Sequence, residues 1–117
     1  GFQKYVQKVH TTFPTKNIWL TEIGVTTASN GTQAQVKSFH SAAFNWLETQ
    51  SYVERATIFG FFAVTNPPDT YATKFNALFN QNGTLRDLGV SLNAVRHCTC
   101  TSADISLSSF QYWYMWG

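Results

Sequence analysis

Two strand-like runs separated by one helix-like segment constrain the fold of this chain more than any other feature. Asn17-Ile-Trp-Leu-Thr-Glu-Ile-Gly24 is almost continuously apolar and β-branched before a Gly, which is how a strand covered on both faces of a parallel sheet reads. Val53-Glu-Arg-Ala-Thr-Ile-Phe-Gly-Phe-Phe-Ala-Val64 ends in a second apolar run, and its second half is expected to be the other buried strand. Between them Val36, Phe39, Ala43, Trp46 and Leu47 keep helical spacing as far as Thr49, so a long amphipathic helix must connect the two strands. Strands about 40 residues apart with a helix between them form a βαβ unit, which implies a parallel sheet.

The flanking segments continue the alternation. Phe2, Tyr5, Val6 and Val9 fall at i, i+3, i+4 and i+7 and predict a short helix ending near His10. After the second strand, Thr65-Asn-Pro-Pro-Asp-Thr70 is a loop, because two prolines cannot continue a ladder. Phe75, Leu78 and Phe79 suggest a helical turn, Asn82-Gly83 a tight turn, and Thr84 an N-cap ahead of Leu88 and Leu92. A lone parallel pair leaves edges and helix faces uncovered, so the 117 residues read as one domain or less, part of a larger α/β architecture. A complete (β/α)8 TIM barrel needs about 200 residues or more. The opening residues Gly1-Phe-Gln-Lys-Tyr-Val-Gln7 carry no initiator Met, charged n-region or apolar h-region, the pattern expected of an internal start.

Composition excludes several functions. Lys and Arg number 8 against 6 Asp and Glu, for a net charge of +2, and they are scattered; without a basic cluster, no nucleic-acid partner is expected. The longest apolar stretch, Thr57–Val64, falls far short of the roughly 20 residues that span a bilayer, so no membrane partner is expected. Asn30-Gly-Thr32 and Asn82-Gly-Thr84 are N-glycosylation sequons, which favours a secreted, extracellular or cell-wall protein. Cys98 and Cys100 form a lone C-x-C; with no second ligand pair, no metal and no cofactor are expected, and the two thiols read as tail residues that pair elsewhere.

One residue breaks the apolar pattern. Glu22 stands at the C-terminal end of the first strand, directly before Ile23-Gly24, where a barrel builds its active site. A carboxylate in an apolar strand is costly unless it is paired or reaches water, and the residues alone leave open whether it is catalytic, ion-paired or solvated at the strand tip.

Ile18-Trp-Leu-Thr-Glu-Ile-Gly24 resembles the W-L-T-E-[FIW]-G strand of the β-1,3-glucanases of glycoside hydrolase family 128, retaining enzymes built on (β/α)8 barrels. Val53-Glu-Arg55 with Phe59-Gly60 is similar to that family's V-E-R-Y-A-W-F-G strand, and Asn82-Gly-Thr-Leu-Arg-Asp-Leu-Gly89 to its D-G-S-L-T-x-L-G helix start. The three matches are co-linear. The resemblance implies that residues 1–95 are the C-terminal part of a TIM barrel, about strands seven and eight with flanking helices, and that residues 96–117, with four aromatics in Tyr112-Trp-Tyr-Met-Trp116, are an unassigned tail.

It further implies a retaining hydrolase of β-1,3-glucan with Glu22 as nucleophile. The acid/base Glu of the family lies on strand four, outside this chain, so the chain alone is expected to be inactive. Glu48 and Glu54 belong to the opposite end of the strands, and Asp69 is the other acid expected on the catalytic side, as a substrate contact or as a turn residue after Pro67-Pro68. The family's Y-A-W is Ala56-Thr57-Ile58 here, so stacking on the sugar falls to Trp19, Phe61 or Phe62. A non-catalytic β-glucan-binding module using Trp19, Phe61 and the tail aromatics is the alternative from another class, and a remnant without function is the third.

Overall fold

The computed structural model describes residues 1–93, which form α1 (Phe2–Thr12), β1 (Ile18–Ile23), α2 (Gln33–Leu47), β2 (Val53–Ile58) and α3 (Asp87–Asn93). The expectations for Cys98, Cys100, the aromatic tail and the boundary at residue 95 lie outside the described residues. Single 3-10 turns occur at Thr27–Ser29 and Lys74–Asn76.

The helix α1 stops where Phe13 precedes Pro14, since a residue before proline is driven out of the helical region. The start of α2 is fixed by a capping box: the Thr32 side chain accepts from Gln35 N–H, and the Gln35 side chain accepts from Thr32 N–H. The Thr-x-x-Gln spacing encodes this box, and it sets the helix two residues past the Asn30-Gly31 turn. Val36, His40, Ala43 and Leu47 form the buried stripe of α2.

The two strands pair in parallel, as the connecting helix requires. Both helices cover one face of this sheet, where Val6 of α1, Ile23 of β1, Leu47 of α2 and Val53 of β2 make the buried cluster and Phe2, Leu20, Phe39, Phe44, Trp46, Tyr52 and Ala56 pack around it. Phe2 meets Phe39 and Trp46 edge-on at 5.7 and 6.3 Å, and His10 stacks on Tyr52 at 3.9 Å. The other face is open. Trp19, Thr21, Glu22, Glu54 and Arg55 are exposed, so the expectation of a strand buried on both faces does not hold among the described residues: helices cover one side only.

Two further expectations are corrected. The second strand is Val53–Ile58, the first half of the segment rather than its apolar second half. A Cβ on Gly60 would lie 2.3 Å from the Asn76 carbonyl oxygen, and Phe62 N–H turns back to Gly60 C=O at 2.7 Å, so the chain leaves the ladder there. This moves Phe61 out of the strand and into the loop beyond it. Nor is Thr84 an N-cap, because α3 begins three residues later at Asp87. Residues 84–86 are still extended against 78–80, with Asn80 N–H bonding Thr84 C=O and Arg86 N–H bonding Leu78 C=O at 2.8 Å each. Thr84 instead turns its hydroxyl to Asn82 Oδ1 at 2.7 Å. Gly89 then lets α3 close on the same segment, since a Cβ there would be 2.9 Å from Leu78 C=O.

Candidate active site

The geometry of Glu22 follows from the strand register. Ile18 pairs with Val53, Trp19 with Arg55, Leu20 with Ala56 and Ile23 with Ile58. From Leu20 to Ile23 β1 advances three residues while β2 advances two, so β1 carries one extra residue at Thr21-Glu22; an opposite slip at Glu54 restores the balance. A bulge of this kind re-aims side chains, and such bulges gather next to active sites. Strict alternation from Leu20 would send Glu22 under the helices and Ile23 outward. With the bulge Leu20 and Ile23 both face the core, and Glu22 is exposed. Thr57 on β2 holds the bulge, its hydroxyl donating to the Thr21 carbonyl.

Glu22 also borders a groove of about 430 Å³ between α1 and β1, lined mostly by apolar side chains such as Val9, Leu20 and Phe39, with Thr21 and Glu22 as polar members at the C-terminal end and Tyr5 contributing a phenol.

Beyond Glu22 the chain enters a polar buried centre. Asn76 and His40 are both 0 % exposed. The Asn76 amide donates to Val25 C=O at 2.8 Å and accepts from Val25 N–H at 3.0 Å, and His40 Nε2 lies 2.9 Å from the same Asn76 Oδ1. Burial pushes the His40 imidazole below the ordinary histidine pKa, against the opposing effect of its hydrogen bond to Asn76, so the ring is neutral near pH 7.

The other sequence-derived candidates separate into two groups. Trp19 stands three residues before Glu22, roughly 10 Å back along the strand. Its Nε1 donates to Glu54 Oε2 at 2.8 Å, and the Arg55 guanidinium lies 5.2 Å from its ring centroid, so its polar edge and one ring face are occupied although 58 % of the residue is exposed. Phe61 and Asp69 lie beyond the end of β2, on the same side as Glu22. Phe59 N–H reaches Ile23 C=O at 2.9 Å, which sets this exit level with the end of β1, and Phe61 follows, 45 % exposed and edge-on to Phe79 at 4.8 Å. Asp69 Oδ1 accepts from Tyr71 and Ala72 N–H at 2.9 Å each, which shapes the loop that bridges to Thr26.

Glu48 caps the end of α2 and Glu54 lies at the start of β2, while Asp87 faces Lys37 at 3.8 Å. Among the described residues, therefore, two acids besides Glu22 lie away from the N-terminal end of the strands: Asp69 in the loop beyond β2, and Asp87, which meets Lys37 in the first turns of α2. No group of three or more His, Cys, Asp or Glu could hold a metal ion, and no helix is long and apolar enough to cross a membrane, among the described residues. Sequence reasoning did not single out Asn76, and from its place near the apolar stripe of the long helix His40 is expected only to pack there. A histidine inside an apolar stripe did signal a need for a buried partner; that the partner lies 36 residues on was not readable.

In α/β folds, ligand and catalytic sites are built at the C-terminal ends of the strands, and Glu22 lies at that end of β1. The chain belongs to the glycosyl hydrolase catalytic core family, whose model matches residues 1–91. Its fold is similar to that of a GH128 (subgroup VI) exo-β-1,3-glucanase from Aureobasidium namibiae, with 20% sequence identity, a TM-score of 0.67, and coverage of 76% of this chain and 34% of that enzyme. The chain thus spans about a third of that enzyme's length. No curated protein matches it.

Proposed function

We propose that this chain is the nucleophile-bearing C-terminal part of a TIM-barrel glycosidase, secreted and acting on β-1,3-glucan with retention of configuration. The observation that carries the reading is Glu22, turned into solvent by a bulge at the C-terminal end of β1, within a segment matched by the glycosyl hydrolase catalytic core model. Retention requires two carboxyl groups about 5 to 5.5 Å apart, one to attack the anomeric carbon and one to protonate the departing oxygen. Glu22 takes the first role. The described residues supply no free-standing second carboxyl beside it, since Asp69 is committed to its turn and Asp87 is paired with Lys37 on α2, so the acid/base comes from another strand, as the family resemblance implies. Phe61 is the aromatic placed to stack on a sugar in this arrangement, and Asp69 acts by shaping the loop beside it. Trp19, held by Glu54 and Arg55, serves the sheet instead.

The test avoids the missing acid. A 2,4-dinitrophenyl 2-deoxy-2-fluoro-β-laminaribioside carries a leaving group that needs no protonation, and its fluorine slows the second step. The Glu22 carboxylate forms a bond to C1 as the C1–O bond to dinitrophenolate breaks. The expected result is one added disaccharide by mass, mapped to Glu22 and absent in Glu22→Gln, with unmodified glucan left uncleaved. Labelling elsewhere, or none, overturns the nucleophile assignment. Retention of the chain on insoluble β-1,3-glucan without labelling would favour the binding-module reading.

A further inference from the structure

Asn76 is used with unusual completeness for one side chain. Its amide pairs both with the N–H and with the C=O of Val25, so it acts as a single rung of a neighbouring strand, three residues past Glu22. The orientation of the amide is fixed by this pairing, because a flip would set donor against donor. With Oδ1 already accepting from Val25, it can only accept from His40, which places the imidazole proton on Nε2. His40 Nδ1 is then a buried acceptor without a hydrogen-bond partner among the described residues, an arrangement that carries a desolvation penalty. An aliphatic side chain at position 40 would fill the space between Phe39, Phe44 and the turn without that penalty. What the imidazole adds is direction: it holds the Asn76 carboxamide in the one pose that grips Val25.

That grip reaches the bulge. Gly24 passes close to Phe59 and Asn76, where a Cβ would lie 3.3 Å from Phe59 Cβ and 3.4 Å from Asn76 Nδ2, and the two bonds from Asn76 to Val25 tie the backbone directly after it. Asn76 also sets the exit of β2, since its backbone carbonyl occupies the place a Cβ of Gly60 would need. One residue therefore touches the C-terminal ends of both strands, its side chain at the exit of β1 and its backbone carbonyl at the exit of β2, and the Thr21-Glu22 bulge lies immediately before the gripped segment.

We propose that Asn76, oriented by His40, is a positioning residue that fixes the direction of the Glu22 carboxylate. The proposal rests on the reading of Glu22 as nucleophile. A displacement of about 1 Å at a reacting group lowers rates by up to about 100-fold, so such a device would act on the rate of attack rather than on sugar binding.

The experiment measures the maximal rate and half-saturating concentration of Glu22 labelling by the fluorinated laminaribioside in four variants of the full chain. Asn76→Ala is expected to lower the maximal rate by roughly tenfold or more, with half-saturation changed by less than about twofold. His40→Leu should fall in the same direction, and His40→Gln, whose amide N–H reproduces the donor at Nε2, should recover to within about threefold of wild type. Asn76→Asp keeps the acceptor and loses the donor to Val25 C=O, so it should lie between wild type and Ala. A folded Asn76→Ala that labels at the wild-type rate, or equal rates for His40→Leu and His40→Gln, overturns the positioning role while leaving the nucleophile intact. Failure of the wild type to label at Glu22 overturns both. Should the variants not fold, nitrogen NMR of the wild type decides: the proposal requires the Nε2–H tautomer of His40 and a slowly exchanging Val25 amide, and an Nδ1–H tautomer or a rapidly exchanging Val25 removes it.

Discussion

The two faces of the β1–β2 sheet are built from the same twelve residues and serve opposite ends. On the helix-covered face Ile23 and Val53 are at most 8 % exposed and lock against Val6 and Leu47; apolar burial there is worth roughly 1.5 to 3 kcal/mol per large side chain. On the bare face Trp19 is 58 % exposed and lies among Glu54, Arg55, Thr21 and Glu22. Bulges at Thr21-Glu22 and at Glu54 allow this division, because each lets consecutive residues turn outward while the core positions stay in register. Stability is thus concentrated on one face, and chemical groups on the other.

Substitutions can break that contrast. The largest stability effect should come from Leu47→Ala, which empties a site 3 % exposed at the centre of the cluster and should lower unfolding free energy by about 2 to 5 kcal/mol in a denaturant titration. Gly60→Ala comes next: the new methyl would meet the Asn76 carbonyl, a backbone group that cannot swing aside, and a loss of roughly 1 to 3 kcal/mol is expected. If Gly60→Ala is neutral, the close approach between the β2 exit and the Asn76 turn is not maintained in solution.

A third effect depends on pH. His40 is depressed below its unfolded pKa by burial, so as the pH falls below about 6.5 the unfolded chain takes up a proton that the folded chain refuses. Stability is full above that pH and declines as acidity rises, until the folded pKa is reached. Melting temperatures across pH 5 to 8 should show the decline in wild type and lose part of it in His40→Gln; an unchanged slope would mean that another group sets the acid limit. Smallest should be the bare face. Trp19→Phe keeps an aromatic ring on the exposed face and removes the indole N–H bond to Glu54, a change of about 1 kcal/mol or less. Glu22→Gln should shift stability by no more than about 0.5 kcal/mol while abolishing covalent labelling. Were Trp19→Phe to destabilise as much as Leu47→Ala, the two faces would not differ in the way described.

The helix stripes, the parallel pairing and the turn after Pro67-Pro68 were readable because each rests on local periodicity or on a residue whose backbone chemistry admits few conformations. The limits of β2 were not. A run such as Phe59–Val64 has the composition of a buried strand, and nothing within it announces that Gly60 must clear the Asn76 carbonyl sixteen residues later. Thr84 looked like a cap for the same reason, since the backbone bonds of 84–86 to 78–80 that delay α3 are tertiary.

The sequence by itself determined that a helix joins two parallel strands, that Glu22 stands at the C-terminal tip of the first, and that its surroundings resemble a glycosidase strand; these follow from period, order and motif. Only the tertiary structure decided which way Glu22 points, because the side of a strand on which a residue emerges depends on a one-residue slip against its partner. It also decided that Asn76 and His40 meet each other at Val25, three residues past Glu22, since residues 36 positions apart are brought together by packing and by the demand that buried polar groups be paired.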